Sequence, residues 1–214
     1  MNNSWETYKE ALFRKMPSLR GTLNEGASEE EIRAVEEKMG IVFPEPLRTL
    51  YLENNGDNGE KWCGMILGHH FLDLDELYRN WEGWRDIIND WTPEAVADTS
   101  INSSVPEGSV KRRYADVLWL PISEDGSGNH IGIDLDPDVK GKVGQVINFG
   151  RDEDEKYVLA ESLSAFFERL ARIVNSEDFF IGEIEGEEVI FLGEDSEEEG
   201  SSLIDYLKDN DSVK

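Results

Sequence analysis

Three histidines, one cysteine and several closely spaced carboxylates are the residues whose types could carry chemistry. His69 and His70 are adjacent, and neighbours in an extended chain point to opposite faces, so they make a poor bidentate metal site. His130 follows Asp125 closely enough for an acid–base pair, yet without a nucleophile in a recognisable elbow that pair specifies no reaction. Asp134 and Asp136 stand two apart on a strand and so on one face. They would hold Mg²⁺ only if a third carboxylate converged, and the commoner meaning is the wet face of a half-buried sheet. The loop from Asp125 to Asn129 lacks the lysine of a phosphate-binding loop and opens no helix, so it reads as a tight turn. These residues predict no catalytic centre, no metal site and no cofactor.

The elements that must position them run from Val117 to Gly150. Val117–Ile122 is an apolar, β-rich run, and Ile131, Ile133 and Leu135 then alternate with Gly132, Asp134 and Asp136. Val143, Val146, Ile147 and Phe149 form a third apolar run. Short polar loops between three short strands imply an antiparallel meander, because parallel neighbours need a much longer crossover.

Helical periodicity flanks this sheet. Trp5, Tyr8, Leu12 and Met16 share one face of a first helix that stops at Pro17. Ser28 and Glu31 form a capping box for a second, which ends at Gly40, and a third begins near Pro46. Residues 57–72 are a glycine-punctuated apolar run with room for one or two short strands. The longest stripe follows, from Leu74 through Trp81, Trp84 and Ile88 to Trp91, and Pro93 closes it. Thr92–Asp116 has no periodicity and reads as a long loop, and RDEDEK, from Arg151, as a charged turn. Leu163 to Val174 reads as a terminal amphipathic helix capped by Glu161 or Ser162. From Glu177 the chain turns sharply acidic, with 14 acids against two lysines in its last 38 residues. Residues 1–176 therefore read as one domain and 177–214 as an acidic extension containing a hairpin and a final short helix.

The whole chain has 214 residues, a formal charge of −26 and an isoelectric point near 4.3. Such a balance excludes a nucleic-acid or anionic-membrane binder, which needs clustered lysine and arginine. The one basic cluster, Lys111-Arg112-Arg113, reads as a solvated loop. Cys63 alone permits no intrachain disulfide, the first residues lack a signal-peptide pattern, and no apolar run approaches the roughly 18 residues of a membrane span. A soluble, cytoplasmic protein is expected.

As a set, these segments resemble the SUKH superfamily, which includes the fungal Smi/Knr cell-wall regulators and many bacterial toxin-immunity proteins. The likeness lies in Gly26–Gly56, with its Gly40 break, Phe43-Pro44 entry and asparagine-glycine ending. It continues in Leu118–Pro137, in the strand ending at Gly150, and in the helix from Leu163. It implies an α+β fold, a mostly antiparallel sheet packed by amphipathic helices, and binding rather than catalysis. The bacterial branch implies an immunity protein that neutralises a cognate toxin domain, often a nuclease, through an acidic surface. The alternative, from the fungal branch, is a regulatory or scaffolding protein-binding module. If inhibition works by filling a basic cleft, the expected contacts are Asp125, Asp134, Asp136 and Asp152, Glu153, Asp154 and Glu155, anchored by Trp62, Phe71 or a tryptophan of the 74–91 helix that the core does not need.

Overall fold

Local signals set the helices. In the computed structural model, which describes residues 4–61, 63–92, 103–193 and 202–210, α1 spans Ser4–Lys15 and gives way to a 3-10 turn at Pro17–Gly21. Helix α2, Glu29–Met39, begins with both bonds of the Ser28–Glu31 capping box and ends on Gly40 at φ +68°, where the missing Cβ removes the cost of a left-handed residue. Helix α3 is Glu45–Glu53 and α4 is Leu74–Asp90, the latter opened by a second capping box between Asp73 and Glu76. Helix α5 covers Leu163–Val174 with Ser162 as its cap, and α6 covers Leu203–Asp209.

The main sheet has six strands: β1 His70–Phe71, β2 Ser103–Val105, β3 Trp119–Glu124, β4 Asn129–Asp134, β5 Gln145–Gly150 and β6 Glu155–Ala160. Their order is β1-β3-β4-β5-β6-β2. The meander expected across β3, β4 and β5 is present, and β6 continues it: the charged turn expected from Arg151 joins β5 to β6, and its last two residues, Glu155 and Lys156, open the strand. Strand β2, inside the expected long loop, adds to the far edge parallel to β6, with Ser103 opposite Glu155. A separate hairpin of β7, Phe179–Ile184, and β8, Glu187–Leu192, turns through Glu185 and Gly186, both at positive φ.

The pleat divides the core in two. Leu120, Ile122, Ile131, Ile133, Val146 and Leu159 join the larger cluster with α1 and α5, where Trp5 meets Phe167 at 4.8 Å between ring centroids. Trp119, Ile147 and Phe149 occupy the opposite side, packed by Val110, Ala115 and Trp84. That second side is covered, not wet as expected, because residues 106–118 return across it to reach β3. Described parts of the acidic extension share the larger core through Phe179, Leu192, Leu203, Ile204 and Leu207. Residues 93–102 of the expected long loop, and 194–201 between the hairpin and the final helix, lie outside the described residues. No helix among the described residues is long and apolar enough to cross a membrane.

Candidate protein-interaction site

An antiparallel meander sends alternate turns to opposite ends, and this divides the expected acidic contacts. Asp125 sits on the β3–β4 turn, and Asp152, Glu153 and Asp154 sit on the β5–β6 turn. These two turns share one end of the sheet and are tied by Asn129. Its Nδ2 donates to Asp125 Oδ2 at 3.0 Å, and its Oδ1 accepts from the Asp152 N–H at 3.0 Å. The Arg151 N–H adds a bond to the Gly128 carbonyl at 3.1 Å. Burial would raise the Asp125 carboxyl, but donors from Asn129 and Ser127 hold it below the ordinary aspartate range.

Asp134 and Asp136 lie at the other end, about 17 Å away along β4. Asp134 is fully buried, which pushes its carboxyl up to about 6 even though Gln145 Nε2 donates at 2.8 Å and the Asp136 N–H at 2.9 Å. Asp136 pairs with Lys111, and Arg113 stands 4.0 Å away. Asp136 therefore fastens the 106–118 segment to the sheet directly, and Asp134 does so through Gln145, whose Nε2 also donates to the Ser109 carbonyl at 2.9 Å. The basic cluster expected to be a solvated loop supplies two of the fasteners.

The remaining expected contacts separate further. Phe71 is completely buried between Trp5 and Tyr51, because β1 turns it toward the helices, so it belongs to the core and offers no anchor at the surface. Trp62 lies outside the described residues. Glu153 is buried, receiving Asn148 Nδ2 and, at 2.7 Å, Lys208 Nζ. Glu155 is exposed and accepts from Ser103 Oγ at 3.1 Å, which places it beside β2. Asp125, Asp152 and Asp154, with Glu155 at the start of β6, are the expected acids that stay exposed at one end.

At that end the structure supplies an aromatic ledge. Trp91, 40% exposed, stacks on Tyr114 at 4.9 Å and 18° between planes, and Trp84 meets Tyr114 edge-on at 5.6 Å. Trp84 also reaches His130 and Phe149 at the starts and ends of β4 and β5. Ile87, 37% exposed, continues the ledge along α4. Burial, and then the nearby charges of Asp152 and Asp154, raise the Tyr114 phenol above its ordinary value. Tyr114 escaped the sequence reading because it falls in a stretch without periodicity. Its one signal was to be the lone aromatic between Thr92 and Asp116.

Helix α4 must be held firmly for this ledge to form. Its N-terminus is fixed by Glu76, whose Oε2 accepts from the Asp73 N–H at 3.0 Å and meets His70 Nε2 at 2.7 Å. His70 Nδ1 lies 2.5 Å from Oδ1 of buried Asp57, and Asp57 also accepts from the N–H groups of Met65 and Phe71. Burial would lower the imidazole, but Asp57 and Glu76 together raise it to about 9, so it is a cation at neutral pH. Midway along α4 the Trp81 indole N–H donates to the Val117 carbonyl at 2.7 Å. The other two histidines are driven down to about 4, first by burial. His130 lies against the Ser123 carbonyl and not Asp125, so the acid–base pair weighed from sequence does not assemble.

The SMI1 / KNR4 family (SUKH-1) model matches residues 26–169. The chain is 31% identical over 190 residues to "Cell wall biosynthesis/cell cycle regulator smi1" of Schizosaccharomyces pombe, covering 86% of this chain and 37% of that one. It is 28% identical over 210 residues to the "Glucan synthesis regulatory protein" of Neurospora crassa, covering 85% and 40%. It is 26% identical over 194 residues to "Cell wall assembly regulator SMI1" of Saccharomyces cerevisiae, covering 77% and 38%. The chain thus spans about two fifths of the length of these relatives. They overturn the expectation of a bacterial immunity protein with a toxin partner: these relatives are fungal regulators, and the acidity of this chain does not by itself distinguish a toxin from another basic partner. The chain belongs to the SMI1 / KNR4 family (SUKH-1).

Proposed function

We infer that this chain is a regulatory protein-binding module, engaging its partner through the Trp91–Tyr114 ledge and the exposed Asp125, Asp152 and Asp154. The fungal relatives carry regulatory names, which supports a role in controlling cell-wall or glucan synthesis by contact with other proteins. The observation that carries the site is the exposed indole of Trp91 stacked on Tyr114 beside two acidic turns. An amphipathic aromatic held rigid by stacking loses little entropy on binding and provides apolar area, whereas rim carboxylates steer a basic partner and set its approach rate. Tagged chain would be used to capture partners from fungal cells, quantified for wild type, Trp91→Ala and the Asp152→Asn/Asp154→Asn pair. Trp91→Ala should deplete a discrete set of partners, by about thirtyfold in Kd if the indole is a hot spot of some 2 kcal/mol. The asparagine pair should slow association at low salt and leave the folded state intact. Identical partner sets for all three proteins would reject this surface.

A further inference from the structure

Three indoles of this chain carry a cation of their own. Lys9 Nζ stands 5.5 Å from the Trp5 ring centroid, Lys156 Nζ 5.9 Å from that of Trp119, and the Arg85 guanidinium carbon 5.3 Å from that of Trp81. The last is a complete unit. Arg85 covers the indole while its Nη2 and Nε donate to Asp86 at 2.8 and 3.0 Å and its Nη2 to Glu82 at 3.1 Å. Just past the far end of the same helix, Trp91 repeats the parts without the cation. One face of its ring stacks on Tyr114, the residue is 40% exposed, and no lysine or arginine of the described residues lies over it.

The surroundings of Trp91 call for a positive charge. Helix α4 ends at Asp90 with no basic residue in its last turn, so the negative end of its dipole is uncompensated. Asp90 and Asp154 are exposed, and neither carboxylate forms an ion pair among the described residues. Asp152 and Asp154 lie near enough to Tyr114 to raise its phenol. Arg151 also faces Tyr114, yet its Nε and Nη2 both donate to Asp152, at 3.3 and 3.1 Å. The missing cation has no source in the undescribed stretches beside the site: 93–102 contains no lysine or arginine, and every arginine of the sequence is among the described residues. A second copy would bring another −26 against the same acids. Arginine suits the place better than lysine, because a planar guanidinium covers an indole and keeps its edge for carboxylates, as Arg85 does, whereas an ammonium is a compact, strongly hydrated charge. We propose that the outer face of Trp91 seats an arginine side chain of the protein partner, its guanidinium stacked on the indole with Asp90 and Asp154 as acceptors. This rests on the Trp91–Tyr114 surface inferred above and names the residue that it takes.

The probe is an acetylated and amidated heptapeptide, Ser-Gly-Val-Arg-Val-Gly-Ser, titrated at low salt into the isotope-labelled full chain and followed by NMR. Companion peptides carry lysine or citrulline in place of arginine. The Trp91 indole N–H and the amides of 88–92 and 151–154 should shift, and the arginine side-chain protons should move upfield under the ring. Affinity should fall about tenfold with citrulline and about threefold with lysine. Trp91→Ala should weaken the arginine peptide about tenfold, and Asp90→Asn/Asp154→Asn should weaken it about threefold while leaving the citrulline peptide unchanged. Trp91→Phe, which keeps a ring against Tyr114, should fall between wild type and Trp91→Ala and separates a lost cation seat from a folding defect. No binding, equal affinity of the lysine or citrulline peptide, or shifts that persist in Trp91→Ala would overturn the proposal. The two readings fail separately: if Trp91→Ala loses partners captured from cells while citrulline binds as well as arginine, the ledge stands and the arginine seat falls.

Discussion

His70 is a cation clamped between Asp57 and Glu76, and its charge should appear in the pH dependence of stability. Its folded value, about 9, lies above the ordinary value of about 6.5, so the folded state binds the proton more tightly than the unfolded chain. The resulting stabilisation is complete below pH 6.5 and is lost as pH rises through 9. Four groups act elsewhere. His69 and His130, held near 4, add stability between pH 4 and 6.5, Asp134, held near 6, removes some between 4 and 6, and Lys156, held near 8 by burial, adds some above 8. The interval from 6.5 to 8 is therefore His70's own. Unfolding free energy by urea titration should fall by about 2 kcal/mol across it, and His70→Gln should flatten the fall. Equal stability of the wild type at the two pH values would show that the clamp is not charged.

Among the elements, what could be read from sequence depended on how far apart the determining residues lie. The Ser28–Glu31 capping box was legible because its partners are three residues apart, and the Asp73–Glu76 box found in the structure has the same spacing. The meander was legible because alternation and short polar turns fix neighbours in sequence as neighbours in space. Strand β2 was not, since its three residues become a strand only when β6, some fifty positions later, supplies a parallel partner. The same crossover hid the site: nothing local to Tyr114 says that it will meet Trp91, and nothing local to Asp134 says that its face will be covered. Asn129 now joins the two acidic turns, so it offers a test at this scale. Asn129→Ala should cost about 1–3 kcal/mol, the range for unpaired buried polar partners, and should speed amide exchange at both 125–128 and 150–153. Faster exchange in only the first turn would mean that the second holds itself.

At the scale of the molecule, 47 acids face 21 lysines and arginines, an excess of 26 before the His70 cation is counted. Exposed ion pairs such as Lys142 with Glu161, 2.6 Å apart, tie neighbouring segments together but contribute at most about 1 kcal/mol each. Repulsion among the unpaired acids is spread over the whole surface and favours expansion of the chain. Added salt screens both. The Debye length falls from about 30 Å at 0.01 M to about 8 Å at 0.15 M, which removes most of the long-range repulsion while leaving contacts of 3 Å comparatively intact. Melting temperature should therefore rise as sodium chloride increases over this interval. The rate of association with a basic partner should fall over the same interval, because the field that destabilises the fold is the one that steers the encounter. Opposite signs for the two effects are the distinguishing mark of a net-charge origin. A melting temperature that fell with salt would instead assign stability to the local ion pairs, and steering by the acidic turns would have to be argued from their positions alone.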